Sequence, residues 1–342
     1  MNDGSLKTLF HPFEAGLLDS PGLNERVLFI NAQPDFRLPE GFPSVINLQQ
    51  DFRPTFRALE ATPHTVRPQP DGEGYGLVMV LAGRHRGQNE LWIAEALKRA
   101  RIGARIVVAG GKTDGAASLR KRMASLYPID EHASKNHGVV FWLTRTDDDA
   151  PAQAIETLES ANPPLILDGG YLTVPGVFSQ EHADAGSQLL VANLPSNLRG
   201  HVADFGAGWG YLSVALAARS SEVTAIDLFE ASFTACIAAK ANMSNLAANV
   251  DCRVHWYDLL KEPVERRFDA IIMNPPFHQG RAAEPSIGEG MIRAASAALK
   301  PGGKLFLVAN RSLQYEPLLQ AGFARSGETV RDERFKVLWA VR

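Results

Sequence analysis

Between residues 202 and 210 an apolar run, Val202-Ala203-Asp204-Phe205, passes into Gly206-Ala207-Gly208-Trp209-Gly210 and then into an apolar helical stretch from Tyr211 to Ala218. Glycines at alternating positions allow backbone conformations closed to other residues, so the chain turns abruptly from a buried strand into a helix. That layout belongs to open α/β sheets, where a nucleotide-like ligand approaches the backbone beyond the carboxyl ends of the strands.

A glycine turn alone is shared by many nucleotide-binding folds and by plain tight turns. Here it is followed by Val223-Thr224-Ala225-Ile226-Asp227, a second strand reaching an acid placed to accept both hydroxyls of a ribose. The pair points to an adenosine-type cofactor. Tyr211 follows Gly210, so the spacing departs from the dinucleotide pattern and a nicotinamide cofactor is the lesser expectation. A third strand, Cys252 to Trp256, leads to Tyr257-Asp258. Asp258 reads in two ways, as an acceptor for an adenine amino group or as the N-cap of a helix opening at Leu259-Leu260.

The fourth strand, Phe268 to Met273, opens directly onto Asn274-Pro275-Pro276-Phe277. An exocyclic amine on a nucleobase is a weak nucleophile, because its lone pair is delocalised into the ring. The Asn274 carboxamide oxygen and the Pro275 carbonyl are both acceptors, suited to hold such an amine and direct its lone pair toward an activated methyl group. Two prolines stiffen the corner, and Phe277 is placed to stack on a base. Read simply as punctuation, Asn-Pro-Pro is a turn; the buried strand before it and the glycine turn nearby favour the chemical reading.

These residues carry a resemblance. The C-terminal half is similar to class I S-adenosylmethionine-dependent methyltransferases, and more narrowly to the RsmC-type ribosomal RNA guanine-N2 methyltransferases. The matching stretches are Gly176-Val177-Phe178-Ser179 with Asp184-Ala185-Gly186-Ser187-Gln188-Leu189-Leu190, the glycine turn, Asn274 to Gly280, and a last strand pair, Gly303 to Asn310 with Arg334 to Trp339. The resemblance implies an α/β fold of two tandem Rossmann-like methyltransferase domains, each with a mostly parallel sheet of the seven-stranded type and a C-terminal antiparallel strand. It implies S-adenosyl-L-methionine as cofactor, held by Asp204, Gly206, Gly208 and Gly210 on its methionine and ribose side, with Gln188 nearby, Asp227 on the ribose and Asp258 on the adenine. Asn274, Pro275 and Phe277 would take the target base. Trp209 and Tyr211 are bulkier than the residues common around that turn.

A chain of 342 residues with 45% hydrophobic content is long enough for two cores. The expected division is 1–155 and 165–342, with the acidic and proline-bearing stretches Thr146 to Pro151 and Ala161 to Pro164 as linker. The N-terminal half repeats the plan of the C-terminal one. Gly76 to Leu81, a helix from about Glu90 to Arg101 and Ile106 to Ala109 correspond to Ala270 to Met273, a helix from about Gly288 to Leu299 and Leu305 to Val308. Leu81-Ala82-Gly83-Arg84 stands where the second copy has Asn-Pro-Pro-Phe, and no glycine turn follows Arg26 to Asn31. The first copy is therefore expected to hold no cofactor and to serve in RNA docking or in support of the second.

Two cysteines, Cys236 and Cys252, build no disulfide framework and lack metal-ligand spacing, so no metal is expected. No apolar stretch is long enough to span a bilayer, and a cytoplasmic monomer without membrane association is expected. The net charge of -3 suits RNA poorly at the scale of the whole chain. Basic residues nevertheless gather in the first half, at Arg84, Arg86 and Lys135 among others; these, with His278 beside the proline loop, are the expected contacts to substrate. The expected partner is ribosomal RNA or the small ribosomal subunit. Alternatives are a guanine-N2 enzyme acting on large-subunit RNA, a methyltransferase for DNA adenine or a protein glutamine, and a noncatalytic RNA-binding assembly factor.

Overall fold

A computed structural model describes residues 3–276, 278–279, 282–283 and 285–342. The chain forms two compact units, Met1–Pro163 and Pro164–Arg342. In the first, α1 (Asp3–Glu14), β1 (Val27–Ile30), β2 (Asn47–Gln49), α2 (Arg53–Glu60), β3 (Thr65–Arg67), β4 (Tyr75–Leu81), α3 (Arg86–Arg99), β5 (Ala100–Gly111), α4 (Ala116–Ala124), β6 (Glu131–Lys135), β7 (Gly138–Thr144) and α5 (Ala150–Ser160) follow in order. Its seven strands lie in the order β3-β2-β1-β4-β5-β7-β6.

The second unit opens with a short ribbon of β8 (Leu165–Ile166) and β9 (Leu172–Thr173) and continues with α6 (Ala185–Asn193), β10 (Gly200–Phe205), α7 (Tyr211–Arg219), β11 (Val223–Glu230), α8 (Phe233–Leu246), β12 (Asp251–Trp256) and β13 (Phe268–Met273). A ribbon of β14 (His278–Gln279) and β15 (Ala282–Ala283) precedes α9 (Pro285–Ala298), β16 (Leu299–Asn310), α10 (Glu316–Gly322), β17 (Arg325–Arg331) and β18 (Phe335–Val341). The large sheet runs β12-β11-β10-β13-β16-β18-β17.

The two strand orders coincide place for place, and the expected repetition extends to register. Val27 pairs with Leu77, which pairs with Arg105; Val202 pairs with Ala270, which pairs with Lys304. Both central ladders slip at the same point, between Tyr75 and Leu77 and between Phe268 and Ala270. In each sheet the strand next to the edge, β7 or β18, is antiparallel to its neighbours.

Strands buried on both faces read as continuous apolar runs, because helices cover each side of a parallel sheet. In the second unit, Val202, Ile226, Leu228, Ala270 and Ile272 pack on one face with residues of α6, α7 and α8. Their strand neighbours Ala203, Phe205, Phe229, Ile271 and Met273 pack on the other with Met291, Ile292 and Ala295 of α9 and Leu319 of α10.

The expected linker at Thr146 to Pro151 is corrected by the structure. Pro151 stands in the first turn of α5, where its missing N–H costs nothing, and Pro151, Ala154 and Leu158 are buried. Asp148 starts that helix by accepting from Thr146 Oγ1 (2.6 Å) and the Ala150 backbone N–H (3.1 Å). The acidic run is thus a helix entry within the first unit.

Candidate active site

Strands β10, β11, β12 and β13 are parallel, so the residues at their carboxyl ends gather along one edge of the sheet. Gly206, Gly208 and Gly210 all take left-handed φ, at 75°, 55° and 88°, a combination that L side chains resist. The backbone N–H groups of Gly206 and Ala207 donate to the Phe229 carbonyl, folding the turn over the end of β11. A side chain at Gly208 would meet nothing within 4 Å. The backbone there is open to a ligand.

The acid that addresses this turn is Glu230, which the sequence reading passed over in favour of Asp227. Glu230 ends β11; its Oε2 accepts from the Gly208 N–H at 2.8 Å and its Oε1 from the Ser232 N–H at 2.8 Å. Asp227 lies inside the strand at 1% exposure. Its carboxylate oxygens meet the ring nitrogens of His201 and, at 2.5 Å, of His255, with Arg266 at 3.7 Å. Burial pushes this carboxyl up, but the hydrogen bonds from His255 and His201 outweigh it and leave the pKa lowered. Asp227 therefore belongs to a clamp across β10, β11 and β12, and the assignment of the ribose to it is corrected.

Asp204 is also enclosed, at 0% exposure, and accepts from Ser213 Oγ of α7 at 2.7 Å. Its Oδ1 has no partner among the described residues. Burial drives the pKa up to about 7, against the Ser213 hydrogen bond and with help from the Glu230 charge. Through Oδ2 the side chain ties β10 to α7 beneath the turn. Asp258 is buried and accepts from the Leu260 N–H at 3.0 Å in a turn that does not continue as a helix. Gln188 is exposed on α6, and its amide nitrogen donates to the Ala183 carbonyl at 2.8 Å.

Among the described residues Asn274 is held from one side. Its Nδ2 donates to Asp184 Oδ2 at 2.9 Å and to Ser187 Oγ at 2.8 Å, both at the start of α6. Among the described residues its Oδ1 is buried and has no hydrogen-bond partner. An ionised carboxylate only accepts, so the atom facing Asp184 is the nitrogen and the free acceptor is the oxygen. Leaving a buried acceptor unmet costs about 1–3 kcal/mol. Pro275 beside it is buried. Phe277 lies outside the described residues, as does the side chain of His278.

Trp209 turns away from the crevice. It is 4% exposed, packs with Val177, Ala235 and Ala238, and its indole N–H donates to the Phe178 carbonyl at 3.0 Å. Tyr171, Trp209 and Tyr211 meet ring to ring at 5.3 to 5.6 Å. The bulky residues thus fix the outer side of the turn. Trp209 holds the backbone at Phe178, a residue that is itself 64% exposed.

In the first unit the corresponding edge is occupied by its own amides. Asn31, at φ 57°, takes the place of Gly206. Its N–H donates to Gln49 Oε1 at 2.9 Å and its Nδ2 to the Leu81 carbonyl at 2.7 Å, while Gln50 Nε2, in the register place of Glu230, donates to the Ala32 carbonyl at 2.7 Å. Arg84 lies 3.6 Å from Asp114, Arg86 lies 2.8 Å from Glu90, and Lys135 is exposed in the hairpin of β6 and β7. These three belong to this unit and not to the one that carries Asn274. No group of acids, histidines and cysteines suited to a metal ion occurs among the described residues.

Comparison with known proteins gives the family. The family model for the methyltransferase small domain matches residues 169–339. A ribosomal RNA small subunit methyltransferase C from Hahella chejuensis is 35% identical over 261 residues, covering 73% of this chain and 72% of the relative. That from Sodalis glossinidius is 34% identical over 246 residues, 70% of this chain and 66% of the relative. Of solved structures, the T. Thermophilus 16S rRNA N2 G1207 methyltransferase (RsmC), in complex with AdoMet and guanosine, superposes with a TM-score of 0.80 at 24% identity, covering 100% of this chain and 92% of that one. Its whole-length match gives the same fold, duplicated unit included. Glycine turn, proline loop and sequence identity together place the chain in the methyltransferase small domain family, among the ribosomal RNA small subunit methyltransferase C proteins.

Proposed function

We propose that this protein transfers a methyl group from S-adenosyl-L-methionine to the exocyclic N2 of a guanine in the 16S RNA of the small ribosomal subunit. The observation that carries the reading is the Oδ1 of Asn274, buried and without a partner among the described residues. It supports recognition of a group that brings an N–H, and the names of the relatives supply the RNA and the subunit.

The residues at the edge fit the cofactor. Gly208 leaves an open backbone, and Glu230, turned toward the glycine turn, is the acid we assign to the ribose. Asp258, at the end of β12, remains the acceptor proposed for the adenine. When bound, S-adenosyl-L-methionine supplies a methyl group made electrophilic by its sulfonium. Asn274 Oδ1 and the Pro275 carbonyl then accept from the target amine and orient its lone pair. No strong base is required, since the amine turns acidic on alkylation and releases its proton to water. Phe277 is proposed to stack on the base.

The first unit is read as an RNA-docking and supporting domain, with Arg84, Arg86 and Lys135 meeting phosphate. Among the described residues no helix is long and apolar enough to cross a membrane; we infer a monomer acting in the cytoplasm. The test is transfer of radiolabelled methyl to small subunits, large subunits, their naked RNAs and DNA, with the nucleoside identified by mass spectrometry. N2-methylguanosine in small-subunit RNA is the expected product. Label confined to large-subunit RNA or DNA would overturn the substrate, and no label on any acceptor would overturn the activity.

A further inference from the structure

The start of α6 does something to Asn274 that packing alone does not require. A carboxamide held by hydroxyls can sit either way round, because a hydroxyl both donates and accepts. Asp184 removes that freedom. Its Oδ2 accepts from the Ser187 backbone N–H at 2.8 Å, as the N-cap of α6, and from Asn274 Nδ2 at 2.9 Å. One oxygen thus caps a helix and dictates which end of the Asn274 amide faces outward. Gly186 keeps the arrangement close, since a Cβ there would stand 3.0 Å from Asp184 Oδ2 and 3.2 Å from the Phe335 ring.

We propose that Asp184, assisted by Ser187, is the positioning residue that makes position 274 a dedicated hydrogen-bond acceptor, restricting the site to substrates that present an N–H and excluding those that present only a ring carbonyl. The inference rests on the reading of Asn274 as the residue that meets the target amine. Without the carboxylate the amide is free to invert, its NH2 then facing the NH2 of the substrate, donor against donor. With it, the energetic cost of the unmet oxygen is recovered only when a donor arrives.

The helix cap and the polarity control are separable by substitution. Asp184→Ser keeps a good N-cap but presents a hydroxyl, which imposes no polarity and is shorter than the carboxylate. It is expected to lower kcat on the order of 100-fold, as misorientation in a reacting pair does, with cofactor affinity by calorimetry within about twofold of the parent and Tm within a few degrees. Asp184→Asn is the rescue. The cap demands an oxygen toward the Ser187 N–H, and that same oxygen then serves Asn274, so kcat should return to within a few-fold of the parent.

Asn274→Asp supplies a readout that a structural role would not move. It sets two carboxylates in contact, which share a proton and titrate with one ionisation displaced upward. The pH profile of kcat should gain an ionisation above the ordinary carboxylate range, and Asp184→Asn added in that background should remove it. Wild-type kcat in Asp184→Ser, an equal loss of kcat, cofactor affinity and Tm, or an unchanged pH profile in Asn274→Asp would each overturn the proposal. Full activity in Asn274→Ala would instead overturn the reading beneath it; an inactive Asn274→Ala beside a fully active Asp184→Ser would overturn this inference alone.

Discussion

Glu230 and Asp227 share a strand and a charge, yet they should fail in opposite ways. Glu230→Ala removes the carboxylate that faces the glycine turn and is expected to weaken cofactor binding by tenfold or more, on the order of a lost charge-assisted hydrogen bond, with little change in thermal stability; calorimetry and a melting curve distinguish the two. Asp227→Ala strips the shared acceptor from His201 and His255 and should lower stability before it touches affinity. The pH dependence separates the buried acids further. Asp227 has its pKa lowered on folding, so its contribution is present above the unfolded value near 3.9 and is lost as pH falls through the folded one. Asp204 has its pKa raised to about 7: its contribution is full below pH 4 and is lost as pH rises toward 7. Urea titrations of Asp204→Asn should therefore show stability relative to the parent climbing between pH 4 and 7 and flat above it. The sequence displayed both acids of β11. What it hid was where the strand stops. Ser232, the cap of α8 whose side chain accepts from the Ala235 N–H, was the available signal that the strand runs to Glu230.

Among the elements, the glycine turn and α9 each depend on one large neighbour. Trp209→Ala empties a buried site on the outer side of the turn and is expected to cost about 3–5 kcal/mol in chemical denaturation. Gly288 of α9 packs directly against the Tyr315 ring and hydroxyl, and that hydroxyl is buried without a partner among the described residues. Gly288→Ala should destabilise by about 1–3 kcal/mol through overpacking, and Tyr315→Phe, near neutral alone, should recover part of that loss in a double-mutant cycle. Strands were the most legible elements. Phe268 to Met273 was readable to the residue, because a strand buried on both faces is a mainly apolar run, broken here by Asp269, between the polar Arg267 and Asn274. Boundaries that depend on capping were not. Thr146 to Pro151 has the composition of a linker and the geometry of a helix start, since aspartate and proline suit both. The Asn274 anchor was legible only in pieces: Asp184 and Ser187 lie far from Asn274 in sequence, and contact between them is a product of the fold.

At the scale of the whole molecule, a net charge of -3 means that affinity for RNA must come from local groups. Replacing Arg84 and Lys135 together by Glu should weaken RNA binding and make the slope of log K against log salt shallower by about one unit per lost phosphate contact, with cofactor affinity unchanged; filter binding across a salt series measures both. The duplication was visible in the sequence as a repeated strand-helix-strand plan, but only paired strands reveal its register. That register carries a further lesson in the shared slips, between Tyr75 and Leu77 and between Phe268 and Ala270. An irregularity found at the same place in both halves goes with what the halves share, a crossover whose helix runs without a break into the next strand, at Arg99–Ala100 and at Ala298–Leu299. It does not go with the ligand edge, which Asn31, Gln49 and Gln50 fill in the first unit and the glycine turn leaves open in the second. The slip is part of how this sheet is built.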